Sequence, residues 1–330
     1  MLSLLIFTSQ SFGVQYKNNN INVFSELLIW QVREGGDDNW GQQIGPVAKN
    51  QQVQLLDVPF KWNPGFRIGI GYDAKENPWN ILLYYTWYKT QGTSQASTTT
   101  DEIHSAFLGN FYANNTDGAG LSGPFYHQAG LQWDILFNTL DLEFGRNINI
   151  QQLLNIRPFL GIKAGLINQA INTSWQTPFT KDALSGAITP ITTFSSATED
   201  VTNNFKGIGP SAGLDTTWHL FETSKHSFNL IGNASGAILW GAWTLTDVYH
   251  NNTPLSSTIM NDSLSTAASM ARGYLGVEWT GVFMNSDLNF RLGYEGQVWF
   301  NQMRYYSFDM GKQNAPLMLQ GGVLDVCIHF

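Results

Sequence analysis

Asp215 and His219 stand four residues apart, and Asn233 and Ser235 two apart, in a chain with six histidines. Carboxylate, imidazole, carboxamide and hydroxyl are the parts of a hydrolase, in which the imidazole draws a proton from the nucleophile. If these stretches are extended, Asp215 and His219 share one face, and Asn233 and Ser235 share another. Nothing in that spacing holds a nucleophile beside a base, so the chain reads as a non-enzyme, with a barrel hydrolase kept as a minor alternative. The run GIGPSAG (207–213) lacks the G-x-G-x-x-G spacing and the following helix of a nucleotide site, and close strand packing explains it better. No His, Cys or carboxylate grouping has metal-ligand spacing, and neither a metal nor another cofactor is expected.

Several of the remaining ionisable residues follow a rule. In five apolar segments a pair of charges lies an even number of residues apart: Arg67 and Asp73, Asp141 and Glu143, Arg157 and Lys163, Arg272 and Glu278, Arg291 and Glu295. On a helix such pairs would scatter around the cylinder, whereas on a strand each pair shares one face. The opposite face is apolar: Phe66, Ile68, Ile70 and Tyr72 beside Arg67, or Leu275, Val277 and Trp279 beside Arg272 and Glu278. In 129–137 the apolar set is Ala129, Leu131, Trp133, Ile135 and Phe137, against Gln132 and Asp134. The phase then slips, and Leu140, Leu142 and Phe144 oppose Asp141 and Glu143, which suggests one long strand with a bulge near Asn138.

Strands with one wet and one oily face suit a soluble sandwich or a membrane barrel. Composition separates the two. Only 13% of the 330 residues are charged, while aromatics make up 14%, a mixture that would aggregate in a soluble protein but suits lipid-facing staves. The net charge of −8 argues against nucleic acid as a partner. No apolar run is long enough for a transmembrane helix. Short links are expected at 74–78, 147–154, 220–226 and 284–287, and long polar ones near 35–62 and at 91–124, 173–203, 246–267 and 305–317. That alternation predicts an all-β, transmembrane antiparallel β-barrel of about ten strands, beginning near 22–33, with short periplasmic turns and long extracellular loops. Twelve strands is the alternative. Trp79, Trp87, Trp299 and Phe330 would form the interfacial aromatic belt.

Residues 1–13 (MLSLLIFTSQSFG) read as the remnant of a secretory signal peptide, with Ser11 and Gly13 as the small residues before cleavage, leaving 14–330 as a single barrel domain. At the other end, Leu324, Val326, Ile328 and Phe330 fall on one side of the last strand, and Val323, Asp325, Cys327 and His329 on the other. An apolar, aromatic-ended last strand is the kind of segment by which bacterial barrel-assembly machinery recognises its clients. The single cysteine, Cys327, is placed facing the lumen, so no disulfide framework is expected.

WNPGFRIGIGYD (62–73), NTLDLEFGR (138–146), RPFLGIKAGLI (157–167), FKGIGPSAGLDTTWHL (205–220) and GNASGAILWG (232–241) resemble the Legionella and chlamydia-type major outer membrane protein family, in order over about 22–330. The resemblance implies a pore-forming barrel of the bacterial outer membrane and supplies no catalytic motif. Chlamydial members are rich in cysteine, and this chain departs from them there.

Together these features predict a porin that lets ions and small hydrophilic solutes diffuse passively. Its lumen would be lined by Arg67, Asp134, Asp141, Glu143, Arg157, Lys163, Asp215, Arg272, Glu278, Arg291, Glu295 and Asp325, with Asp73 as a further inward charge. The acidic excess would give weak cation preference. The alternative is a structural or adhesive surface barrel with a plugged lumen, because ten strands enclose little more than the eight whose interior side chains fill. The expected partners are outer-membrane lipid, the assembly machinery and small solutes. Oligomerisation is left open, with no interface signature.

Overall fold

The computed structural model describes residues 21–34, 40–45, 52–74, 78–105, 121–150, 153–182, 185–223, 226–253, 256–283, 286–307 and 311–330. The expected signal segment lies outside them. Fifteen strands are described in chain order. They are β1 (Ile21–Glu34), β2 (Gly41–Ile44), β3 (Val53–Leu56), β4 (Asn63–Asp73), β5 (Trp79–Ser97), β6 (Glu102–Ser105), β7 (Leu121–Arg146) and β8 (Ile148–Ile150). They continue with β9 (Leu154–Asp182), β10 (Ile188–Pro190), β11 (Ser196–Glu222), β12 (His226–Asn251), β13 (Ser256–Phe283), β14 (Ser286–Ser307) and β15 (Gly311–His329).

Ten of these close a barrel in the order β1, β4, β5, β7, β9, β11, β12, β13, β14, β15, each antiparallel to its neighbours. The last strand returns to the first, pairing from Asn22 with His329 to Glu34 with Leu317. Closure satisfies the backbone of both end strands, as a barrel in hydrocarbon requires. The short connections lie where expected, at the end shared by Ile21 and Phe330, which marks it as periplasmic.

At the outer end the strands run on through three of the stretches expected to be loops. β9 and β11 extend to Asp182 and from Ser196, β12 and β13 to Asn251 and from Ser256, and β14 and β15 to Ser307 and from Gly311. Polarity had suggested loops, but segments such as INTSW alternate: Ile171, Thr173 and Trp175 are buried while Asn172 and Ser174 are exposed. The result is a wall of up to 29 residues per strand, when a bilayer needs about 9–11. Most of the extra length stands above the membrane.

β7 shows what changes along that wall. Near the periplasm, Leu140, Leu142 and Phe144 point outward, Phe144 at 49% exposure, while Asp141 and Glu143 point in. Further out, Ala129, Leu131, Trp133, Ile135 and Phe137 point into the barrel, Trp133 at 1% exposure. Pairing with β5 runs without a break from Trp79–Arg146 to Ser97–Gln128, and the β9 register is unbroken across Asn138. There is therefore no bulge near Asn138. The backbone keeps its alternation, and the surroundings exchange places. Outside is lipid below the membrane boundary and water above it, so the apolar residues move from the outer face to the inner one.

Trp299, expected in the belt, is likewise inside at 0% exposure, against the edge of Phe137. Trp30, Trp175, Trp243, Tyr88 and Phe205 join the same core. The chain between β1 and β4 contributes as well: Trp40 packs on Trp175, and Phe60 packs edge-on to Trp133. The Phe60 carbonyl accepts from Gln31 Nε2 at 2.7 Å. Val58 lies so close to Gly92 of β5 that a Cβ there would stand 2.4 Å from its side chain, so any larger residue at 92 would force Val58 to move.

The inversion predicts opposite outcomes at neighbouring positions. Trp133→Ala should cost about 3–5 kcal/mol in unfolding experiments, as for an aromatic removed from a packed core. Asp134→Ala should fall within about 0.5 kcal/mol of wild type.

Candidate functional site

Below the aromatic core the lumen widens into a chamber of about 340 Å³, reached from the periplasmic end past Asn22, Asp73, Asn147, Asn155 and His329. Its walls are ordered by register. One row of paired residues crosses all ten staves: Gly165, Thr139, Thr86, Arg67, Glu26, Asp325, Arg291, Glu278, Asn229 and His219. Opposite charges on directly paired residues attract across a sheet. Arg67 faces Glu26, and Arg291 faces both Glu278 and Asp325. One pairing runs the other way, since Glu26 stands directly opposite Asp325.

The ion pairs follow from this row and its neighbours. Arg67 grips Glu295 through Nη2 at 2.9 Å and Nη1 at 3.1 Å, also pairs with Glu26, and gives Nε to Thr86 at 2.9 Å. Arg272 Nη2 reaches the other side of Glu295 at 2.7 Å. Arg157 donates to Glu143 at 2.9 Å, Asp215 at 2.7 Å and Asn80 at 2.7 Å. Lys163 lies 2.5 Å from Asp141. Arg291 gives Nε to Glu278 at 2.6 Å and stands 3.5 Å from Asp325. Desolvated charges in a barrel wall survive only when so paired.

Eleven of the twelve residues expected to line the lumen thus face inward. Asp134 does not: it lies on the outer wall above the lipid band, bonded at 2.8 Å to both Gln91 and Gln132. It shares the outward face of β7 with Leu140 and Leu142, and water, not lumen, solvates it. Asp73 also faces in and accepts from Asn22 Nδ2 at 3.1 Å. Glu26 escaped the sequence reading because the other charge of the expected first strand, Arg33, lies at odd spacing from it and faces outward. A lone carboxylate between Phe24 and Leu28 had only the inner face to occupy. Of the Asp215, His219, Asn233 and Ser235 set, three are linked, Ser235 donating to Asn233 at 3.2 Å and Asn233 to Asp215 at 2.6 Å, while His219 stands apart with its Nδ1 on Asn229 at 2.9 Å and Asp215 also serves Arg157. On the last strand, Leu324, Val326, Ile328 and Phe330 face outward, and Val323, Asp325 and Cys327 are buried inside.

A second polar pair sits in the outer core. Glu199 of β11 and Asp247 of β12 are buried carboxyl residues lying diagonally across adjacent strands. Burial pushes Asp247 up to about 7, with Asp200 adding to the shift.

An inward row of charges, lipid-facing staves and a closed ten-stranded wall define an outer-membrane β-barrel. The chain belongs to the Legionella pneumophila major outer membrane protein family, whose sequence model matches residues 15–330. It is located in the bacterial outer membrane. No curated protein matches the sequence significantly. Among solved structures, the outer membrane protease OmpT from Escherichia coli is similar at 12% identity, with 96% of this chain and 99% of that chain covered, and a TM-score of 0.38. The Pseudomonas putida toluene transporter TodX aligns at 6% identity over 96% of this chain and 91% of its own, with a TM-score of 0.30. A Pseudomonas aeruginosa FadL homologue aligns at 7% identity over the same shares, with a TM-score of 0.27. At these scores none bears on activity.

Two outcomes test the site. Arg67→Met leaves Glu26 and Glu295 short of a cation and should cost about 3–5 kcal/mol of unfolding free energy. Asp247 sits above its ordinary value of 3.8, so the folded state holds a proton that the unfolded chain releases. Stability should therefore fall as pH rises from about 4 to about 7. In parallel melts Asp247→Asn should show a flatter fall over that window.

Proposed function

We propose that the protein is a surface barrel of the outer membrane, closed on its outer half by an aromatic plug and open to the periplasm through a charged chamber. The observation that carries this reading is the fill of the outer lumen, where Trp30, Trp133, Trp175, Trp243 and Trp299 are each exposed by 1% or less. Packing of that kind is a core, and it seals the lumen. The long polar wall above the membrane then presents a display surface. No hydrolytic role is proposed, since the hydroxyl and imidazole candidates have other partners.

A second reading is favoured by the chamber itself. A solvent-accessible space lined by arginine and carboxylate groups is the conducting half of a porin for ions and small hydrophilic solutes. That role requires the 57–62 segment to leave the lumen, with Val58 and Phe60 parting from Gly92 and Trp133. Folding into the membrane is proposed to use the outward Leu324, Val326, Ile328 and Phe330 as the segment read by the assembly machinery.

Planar-bilayer recording separates the two readings. Wild-type protein should give no discrete steps, whereas the Phe60→Ala/Trp133→Ala double variant should conduct with weak cation preference. Discrete steps from the wild type would establish the porin instead.

A further inference from the structure

The chamber carries more negative charge than its arginines can neutralise. Its lining includes the carboxylates Glu26, Asp73, Glu143, Asp215, Glu295 and Asp325 against the guanidiniums of Arg67, Arg157, Arg272 and Arg291, six against four. Three of those arginines are already divided between two carboxylates each. The surplus is localised. Asp325 has a side chain 2% exposed, and neither of its oxygens accepts a hydrogen bond. Its nearest cation, Arg291, is 3.5 Å away and gives its Nε to Glu278. Glu26, directly opposite, adds repulsion. Asp73, at the periplasmic rim, has Asn22 as its hydrogen-bond donor, and no ion pair to it occurs among the described residues. A buried carboxylate that shares its one cation and accepts no hydrogen bond is costly unless a second cation reaches it.

We propose that the chamber binds a linear aliphatic polyamine, one ammonium group at Asp325 and another at Asp73. A metal ion fits poorly, since no group of three or more His, Cys, Asp or Glu able to hold one occurs among the described residues. The wall between the two acids is partly apolar, with Phe24 and Tyr84 packed together and Leu82 beside them. That suits a hydrocarbon spacer. Asn22, the donor to Asp73, lies four residues along β1 from Glu26, the partner of Asp325. Asp73 itself lies six residues along β4 from Arg67, which is level with Glu26 and Asp325, so the two acids are separated by about 20 Å along the strand, a span for an extended tetraamine rather than a compact monoamine. The inference needs the chamber to be open to periplasmic solvent and is indifferent to whether the plug conducts.

Spermine titrated calorimetrically into the full chain, refolded in detergent, tests this. The expected result is saturable one-to-one binding, weakened about tenfold or more by Asp325→Asn and by Asp73→Asn, and unchanged by Asp134→Asn on the outer wall. Both test variants remove surplus charge and should still fold, which the β-sheet circular dichroism signal would verify. Three results would overturn the proposal: no saturable heat from folded protein, an equal response to magnesium chloride at matched ionic strength, or an infrared carbonyl band showing Asp325 protonated with no amine bound. Bilayer conductance is a separate readout, so failure here leaves the closed-barrel reading standing, and the reverse holds too.

Discussion

A closed sheet satisfies its own backbone, and from that point the free variable is which side chain meets which surroundings. In this barrel the surroundings invert partway up the wall. Below the outer boundary of the membrane, lipid takes Phe144, Leu142 and Ile70 while Asp141, Glu143 and Arg67 turn inward. Above it, water takes Gln132 and Asp134 while Trp133 and Ile135 turn inward. Nothing in the hydrogen-bonded ladder marks the change. Because alternation has period two, one uninterrupted strand can serve both regimes only by exchanging the polarity of its two faces.

The two halves of the lumen follow from that exchange. The outer half is a hydrophobic core of ordinary kind, close-packed and rich in tryptophan, helped by a chain segment that folds in from the β1–β4 connection. The inner half cannot be apolar on both faces and remain a barrel with a defined inside, so it carries its charges in register rows. Arg67, Glu26, Asp325, Arg291 and Glu278 occupy adjacent strands at one level. The rows hold neighbouring strands to one register, since a slip of one residue would put every charge into lipid. They also leave the chamber acidic.

Much of this was legible before any coordinates. Even spacing of charges placed Arg157 and Lys163, or Arg272 and Glu278, on the inner face, because an ionised group has no other place in a lipid-facing strand. The closing of Phe330 and its apolar companions against the first strand followed from the same alternation. What misled was the assumption that lipid lies outside along the whole strand. Under it, Trp133 and Trp299 belonged to the lipid face, Asp134 to the lumen, and the slip at Asn138 to the backbone. The Thr- and Asn-rich stretches beyond Ala170 and Leu245 looked like loops for the same reason. Glu26 went unnoticed because its companion on the first strand, Arg33, lies at odd spacing and so gave no shared face. Which carboxylates would lack a cation depended on distances between strands remote in sequence, and no single-strand pattern encodes those.

The inversion itself can be measured directly along one strand. Single cysteines placed from 132 to 144 of β7 in a Cys327→Ser background, spin-labelled in bilayers, would be exposed in turn to oxygen dissolved in lipid and to a water-soluble nickel chelate. Positions 140, 142 and 144 should relax with oxygen, 132 and 134 with the chelate, and 133, 135 and 137 with neither. Oxygen reaching 133, 135 and 137, with 134 shielded, would mean that the strand slips its phase at Asn138 and that the wall keeps one oily face throughout.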